Sequence, residues 1–95
     1  MSAAIDIGTL IERCPSIRGG RPCIAGTGVT VRRIAEWHNL GLAPEEIAAK
    51  TEHLSLAQVH AALAYYHANR QEIDQDLAAE RETANELERS HARRI

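Results

Sequence analysis

The apolar positions of the second half of the chain recur at helical spacing, which predicts an amphipathic helix. Its stripe consists of residues three or four positions apart: Leu56, Val59, Leu63 and Tyr66. The sequence Ser55-Leu56-Ala57-Gln58 has the form of a capping box, so the helix is expected to begin directly after Ser55. No glycine or proline follows Pro44, so nothing in the sequence is bound to break this helix before the end of the chain.

The stripe continues at the same steps through Ile73, Leu77, Ala84 and Leu87. Charged or polar residues occupy the remaining stripe positions: Arg70, Glu80 and His91. Because a strong coiled coil would not tolerate so many charges along its seam, we expect a helical arm that requires a surface to lie against.

Two shorter helices are predicted upstream. The first runs from Val31 to residue 39 or 40, with Thr30 as N-cap and Gly41 as the stop. The second begins at Pro44, a residue favoured at the first helical position, and ends near Lys50. A short helix, a brief break and a capped third helix have the dimensions of a helix-turn-helix.

The first half of the chain is rich in turns, since all six glycines and all three prolines lie at or before Pro44. Residues 5–14 predict a short strand or extended arm, and residues 26–28 a turn that closes a small hairpin between residues 23–24 and 29–31. This distribution excludes an all-β fold. The predicted fold is mainly α, with an N-terminal β-hairpin or extended segment, a three-helix core and a C-terminal helical arm.

Composition and charge add expectations about partners. The chain has 95 residues and only three aromatic side chains apart from histidine, so a small core is expected to lean on a partner, often a second copy. The net charge of −2 is unevenly distributed, with +3 over residues 1–33 and −2 over residues 70–95. The basic head and acidic tail suggest two different partner surfaces.

Catalytic and cofactor motifs are not found in the sequence. The glycine-rich segment has no phosphate-binding pattern, and His53, His60 and His67 are seven residues apart, too far for a shared metal on one helix. Cys14 and Cys23 match no zinc spacing, and without an export signal they are expected to be reduced. We expect a cytoplasmic protein that is not an enzyme and that binds no cofactor or metal.

Two paired arginines are candidates for DNA contact. Arg32 and Arg33 fall in the first turn of the first helix, where positive charge opposes the helix dipole. Phosphate contact is one interpretation of this unfavourable placement. The alternative is a solvated face or local pairing with Glu36.

The third helix would be the recognition helix of a helix-turn-helix. Ser55 and Gln58 would then face the DNA groove, and Gln58 can read adenine through two hydrogen bonds. The same helix is rich in alanine, which is equally typical of a packing surface.

Residues 17–70 resemble the domain-of-unknown-function family 433. The matching segments, in order, are residues 20–24, 26–27, 41–47, 53–56 and 61–65. Relatives of this kind usually have an arginine after the Gly-Thr pair and often a proline before the following valine, where this chain has Gly28 and Thr30. Any role of that arginine in the family is therefore not expected of this chain.

The resemblance implies a dimeric type II antitoxin with a PIN-like ribonuclease toxin as partner. Residues 1–69 would form a dimeric helix-turn-helix head that binds operator DNA for autoregulation, with residues 17–66 making the dimer, and residues 70–95 a toxin-binding arm. The predicted DNA-binding residues are Arg21, Arg32, Arg33, Ser55 and Gln58. The predicted toxin-binding residues are Ile73, Leu77, Arg81 and Leu87. The alternative is a protein-interaction module with the same fold that does not bind DNA.

Overall fold

The computed structural model describes residues 4, 6–13, 20–51 and 54–93. As predicted, these residues are mainly helical, and they form four α-helices and a two-stranded antiparallel sheet near the N-terminus. The elements follow a 3-10 helix over Ile7–Leu10 and are β1 (Ile11–Arg13), β2 (Pro22–Ile24), α1 (Val31–Asn39), α2 (Pro44–Lys50), α3 (Leu56–Ala68) and α4 (Arg70–Arg93).

The sheet pairs different segments from those expected. β2 pairs with β1, and Glu12 lies opposite Cys23. The predicted hairpin partner, residues 29–31, contributes only an isolated bridge between Cys23 and Thr30. The intervening turn contains Gly28, whose φ of 73° lies in the left-handed region that favours glycine. Gly28 occupies the position where the resembling proteins usually have an arginine, and at this φ any side chain would be strained.

The helices begin where their caps predict. The Thr30 hydroxyl accepts a hydrogen bond from the Arg33 amide at 3.1 Å and starts α1. Ser55 and Gln58 form the reciprocal capping box, with distances of 2.7 Å and 3.2 Å. Within residues 56–93 the predicted continuous helix is interrupted once, at Asn69, where φ is −131° and ψ is 40°. A sequence without glycine or proline thus still breaks between α3 and α4.

The core is closed by the chain's own C-terminal helix. Side chains from β2 and all four helices are buried together, the largest being Ile24, Ile34, Ile47, Tyr66 and Ile73. Ile73 is 1% exposed and Leu77 is 9% exposed, so the first two turns of α4 are part of this core. The small core was expected to rely on a partner molecule. Part of that role is filled by α4 of the same chain.

Beyond Leu77 and as far as residue 90, α4 no longer contributes buried side chains to the core, although Glu80 still pairs with Arg32 of α1. Every side chain from residue 78 to residue 90 is exposed, and the principal extents are 64 × 28 × 23 Å. We call residues 78–93 the arm. Across the described ranges, no helix has the length and apolar character needed to cross a membrane.

Candidate partner-binding surfaces

Three acidic residues form a row along α4. Glu72, Asp76 and Glu80 are four residues apart, so they lie on one face of the helix. The row faces three arginines of the first half of the chain, Arg13, Arg21 and Arg32. We call this set of ion pairs the clamp.

Asp76 is at the centre of the clamp. Its carboxylate accepts a hydrogen bond from Arg21 Nε at 2.8 Å and lies 3.4 Å from Arg32 Nη1. Arg32 Nε is also 3.0 Å from Glu80. The side chains of Arg32 and Asp76 are only 19% and 20% exposed, so solvent screens their attraction weakly. The hydrogen bond that Arg21 donates to Asp76 raises the pKa of Arg21 above its usual value.

The outer pair of the clamp is more exposed. Arg13 Nη2 lies 2.7 Å from the Glu72 carboxylate and 2.7 Å from the Tyr65 hydroxyl. The bond to Glu72 is the largest cause of the raised pKa of Arg13. Since the two side chains are 51% and 45% exposed, this pair contributes little to stability.

The clamp changes the interpretation of the charge distribution. The basic head and the acidic tail were predicted to be two partner surfaces, but a large part of each contacts the other within the chain. Arg21 and Arg32, predicted to bind DNA, are brought together by Asp76 and are engaged with α4.

Arg33 differs from its neighbour Arg32. Its side chain is 55% exposed, and its guanidinium lies 5.9 Å from the Trp37 ring centroid and 4.0 Å from the Glu36 carboxylate. The local pairing with Glu36 is therefore present, at the outer limit of an ion pair. Arg32, Arg33 and Trp37 also line an open pocket of about 290 Å³ beside the turn that precedes α1.

The two predicted groove-facing residues of α3 have a structural role. The side chains of Ser55 and Gln58 bond to each other's backbone amides in the capping box. Along the same helix, Ala57 is exposed whereas Ala61 is 4% exposed and packed. The alanine-rich helix thus uses part of its surface for packing.

The four predicted toxin-binding residues fall into two groups. Ile73 and Leu77 lie in the core of the chain itself. Arg81 and Leu87 lie on the arm, where Leu87 is 67% exposed. The structure thus divides the predicted toxin-binding residues between the core and the arm.

Sequence reasoning missed the pairing of the acidic row with arginines of the first half of the chain. Its signal was present, because acids at residues 72, 76 and 80 repeat at the four-residue spacing of one helix face. Glu80 was regarded only as a defect in the apolar stripe, whereas it pairs with Arg32.

The histidine and cysteine side chains form no cluster of three or more potential metal ligands within the described residues. The His38 and His67 rings are 5.4 Å apart, edge to face. Cys23 is buried, while Cys14 and His53 lie outside the described residues.

Comparisons with known proteins identify the family. The model of the family described as "Protein of unknown function (DUF433)" matches residues 11–66. A crystal structure of a DUF433 member protein from Anabaena variabilis is similar to this chain, with a TM-score of 0.69 and 27% sequence identity. That similarity covers 74% of this chain and 69% of the other. No curated protein matches. Because the family model spans more than half of the sequence, the chain belongs to the DUF433 family.

Proposed function

We propose that this protein is a cytoplasmic, homodimeric antitoxin, without enzymatic activity, that neutralises a PIN-like ribonuclease toxin through its arm. One observation carries the proposal: every arm side chain from residue 78 to residue 90 is exposed, so this part of α4 contributes nothing to the core. A helix of this kind gains apolar contacts only from another molecule. The resemblance described above supplies the class of that partner.

Two arm residues fit a ribonuclease of this class. Leu87 is the largest exposed apolar side chain of the arm and can anchor it in an apolar groove. Arg81 is exposed six residues before it and can approach an acidic metal-binding site, where a guanidinium pairs with two carboxylate oxygens. Ile73 and Leu77 are assigned to the core and not to the toxin contact.

A truncation tests this proposal. A chain ending after Glu80 retains the clamp and the core residues of α4, so it should remain helical and folded by circular dichroism. Co-expressed with a PIN-like ribonuclease toxin that the full chain neutralises, it should no longer protect cells. Full protection by this folded, shortened chain would exclude the arm as the toxin-binding element.

Operator binding is the second proposed activity, and Arg33 favours it. This arginine is exposed, lines the pocket beside Trp37 and, among the residues that the structure describes, has one long ion pair. The guanidinium groups of Arg21 and Arg32 pair with Asp76, so these residues would support DNA binding by holding α4 in place and not by contacting phosphates directly. The clamp favours the rival function, an interaction module that does not bind DNA.

An electrophoretic mobility shift assay with DNA from the upstream region of the gene distinguishes operator binding from the interaction module that does not bind DNA. With DNA binding, Arg33→Ala should weaken the complex and lower the salt slope by about one phosphate contact. Arg89→Ala, which removes an equal charge from the arm, is the matched control and should leave the slope unchanged. Absence of a shift at low salt would favour the rival.

A further inference from the structure

The arm has an apolar stripe that no part of its own chain covers. Ala84 and Leu87 continue the helix face on which Ile73 and Leu77 enter the core, and both are exposed. In heptad terms, Leu77 and Ala84 take one seam position, and Ile73, Glu80 and Leu87 take the other.

Two opposite charges flank this stripe on one side. Arg81 and Glu88 are seven residues apart, so they lie at equivalent positions along the helix, next to the seam. Both are exposed, and neither forms an ion pair within the part of the chain that the structure describes. The arm therefore presents one positive and one negative group on the same edge.

We propose that the arms of two copies pair with each other in antiparallel orientation. Placing Ala84 against Leu87 of the second copy repeats the same contact across a two-fold axis. The same register places Arg81 next to Glu88 of the second copy, and Glu88 next to its Arg81. The other flank carries Thr83 and Ser90, which are neutral, so no like charges meet there.

Parallel pairing is disfavoured by the same residues. It would place Glu80 next to Glu80 of the second copy at the seam, and like charges repel. It would also separate Arg81 from Glu88. The charges along the arm are thus complementary to those of a second copy, and they favour the antiparallel orientation of the two arms.

This dimer differs from the one expected from the sequence, which placed the contact in residues 17–66. Its apolar seam contains only Ala84 and Leu87 from each chain, so the association is weak and reversible. It does not depend on the antitoxin function, since it concerns the free protein.

Charge exchange in the full chain tests the pairing by sedimentation equilibrium. Arg81→Glu and Glu88→Arg each convert two attractions into two repulsions, so each should raise the dimer dissociation constant about tenfold. The double variant Arg81→Glu/Glu88→Arg restores opposite charges and should return the constant to within about twofold of the parent. Arg89→Glu changes the net charge equally on the opposite helix face and is the matched control.

Cross-linking tests the direction. In a Cys14→Ser background, chains with Ala84→Cys and chains with Leu87→Cys should form disulfides with each other when mixed and oxidised. Ala84→Cys chains alone should cross-link poorly, because antiparallel pairing separates the two sulfurs. A monomer at the highest soluble concentration, a dimer indifferent to the charge exchange, or efficient cross-linking of Ala84→Cys alone would overturn the proposal.

Discussion

Asp76 shows how much of this structure depends on one carboxylate. It joins Arg21, which directly precedes β2, to Arg32 from α1, and both bonds hold α4 against the head. A group that is four-fifths covered and shared by two cations is costly to neutralise, because both cations then lose a partner in a weakly screened environment.

Asp76→Asn should therefore destabilise the protein. We expect a loss of about 1–3 kcal/mol in the free energy of unfolding, measured by urea denaturation. Glu82→Gln removes the same charge from an exposed position of α4 and should change stability by less than about 0.5 kcal/mol. Equal stability of the two variants would show that the clamp contributes nothing.

The apolar residues of α4 should respond according to their burial. Ile73→Ala leaves a cavity in the core and should cost about 2–5 kcal/mol of stability. Leu87→Ala, on the exposed arm, should change monomer stability by less than about 0.5 kcal/mol. Thermal melts at low protein concentration check both, and a large loss from Leu87→Ala alone would contradict the division of α4 into core and arm.

The same residues show where sequence reasoning ends. Periodicity placed Ile73, Leu77 and Leu87 on one stripe correctly, because spacing fixes the face of a helix. It cannot show how far along that face another element packs, since this depends on where α1 lies in space. The partners of Arg21 and Arg32 were missed for the same reason, because Asp76 is more than forty residues away in sequence.

At the scale of elements, the signals at helix starts were the most informative. Caps at Thr30 and Ser55 and the proline at residue 44 identified three helix starts, because these residues act on backbone groups only a few positions away. The strand pairing was predicted less well. β2 forms its ladder with the preceding β1, whereas the following segment adds only an isolated bridge at Thr30.

The division of α4 predicts different effects for two truncations. A chain ending at Asn69 loses Ile73, Leu77 and the whole acidic row, so it should melt at least about 10 °C below the full chain or fail to fold. A chain ending after Glu80 should melt within a few degrees of it. Differential scanning calorimetry compares them, and equal melting of the two would place the core entirely before α4.

For the whole molecule, the arm dominates the shape. The Cα radius of gyration is 15.5 Å, whereas a compact chain of this length has about 12 Å. Small-angle scattering at infinite dilution should give the larger value, and the apparent size should rise with concentration if arms pair. A dilution-independent value near 12 Å would show that the arm folds back onto the body in solution.

In the whole molecule, many of the charged groups pair with each other within the chain. A net charge of −2 gives no sign of the acidic and basic surfaces that meet along α4. Local charge sums predicted two external surfaces because a sum over sequence cannot distinguish a surface facing solvent from one facing its own chain.

The part of the arm that follows Glu80 is an unbroken helix, and this limits which insertions and deletions it can accept. One residue added between Glu80 and Arg81 would turn everything beyond it by about 100° about the helix axis, while leaving the head intact. Seven residues would advance the arm by about 10 Å and nearly restore its facing. The clamp thus fixes the direction in which the apolar face of the arm points, so tolerated changes in length here should be those that nearly restore this direction, such as seven or eleven residues.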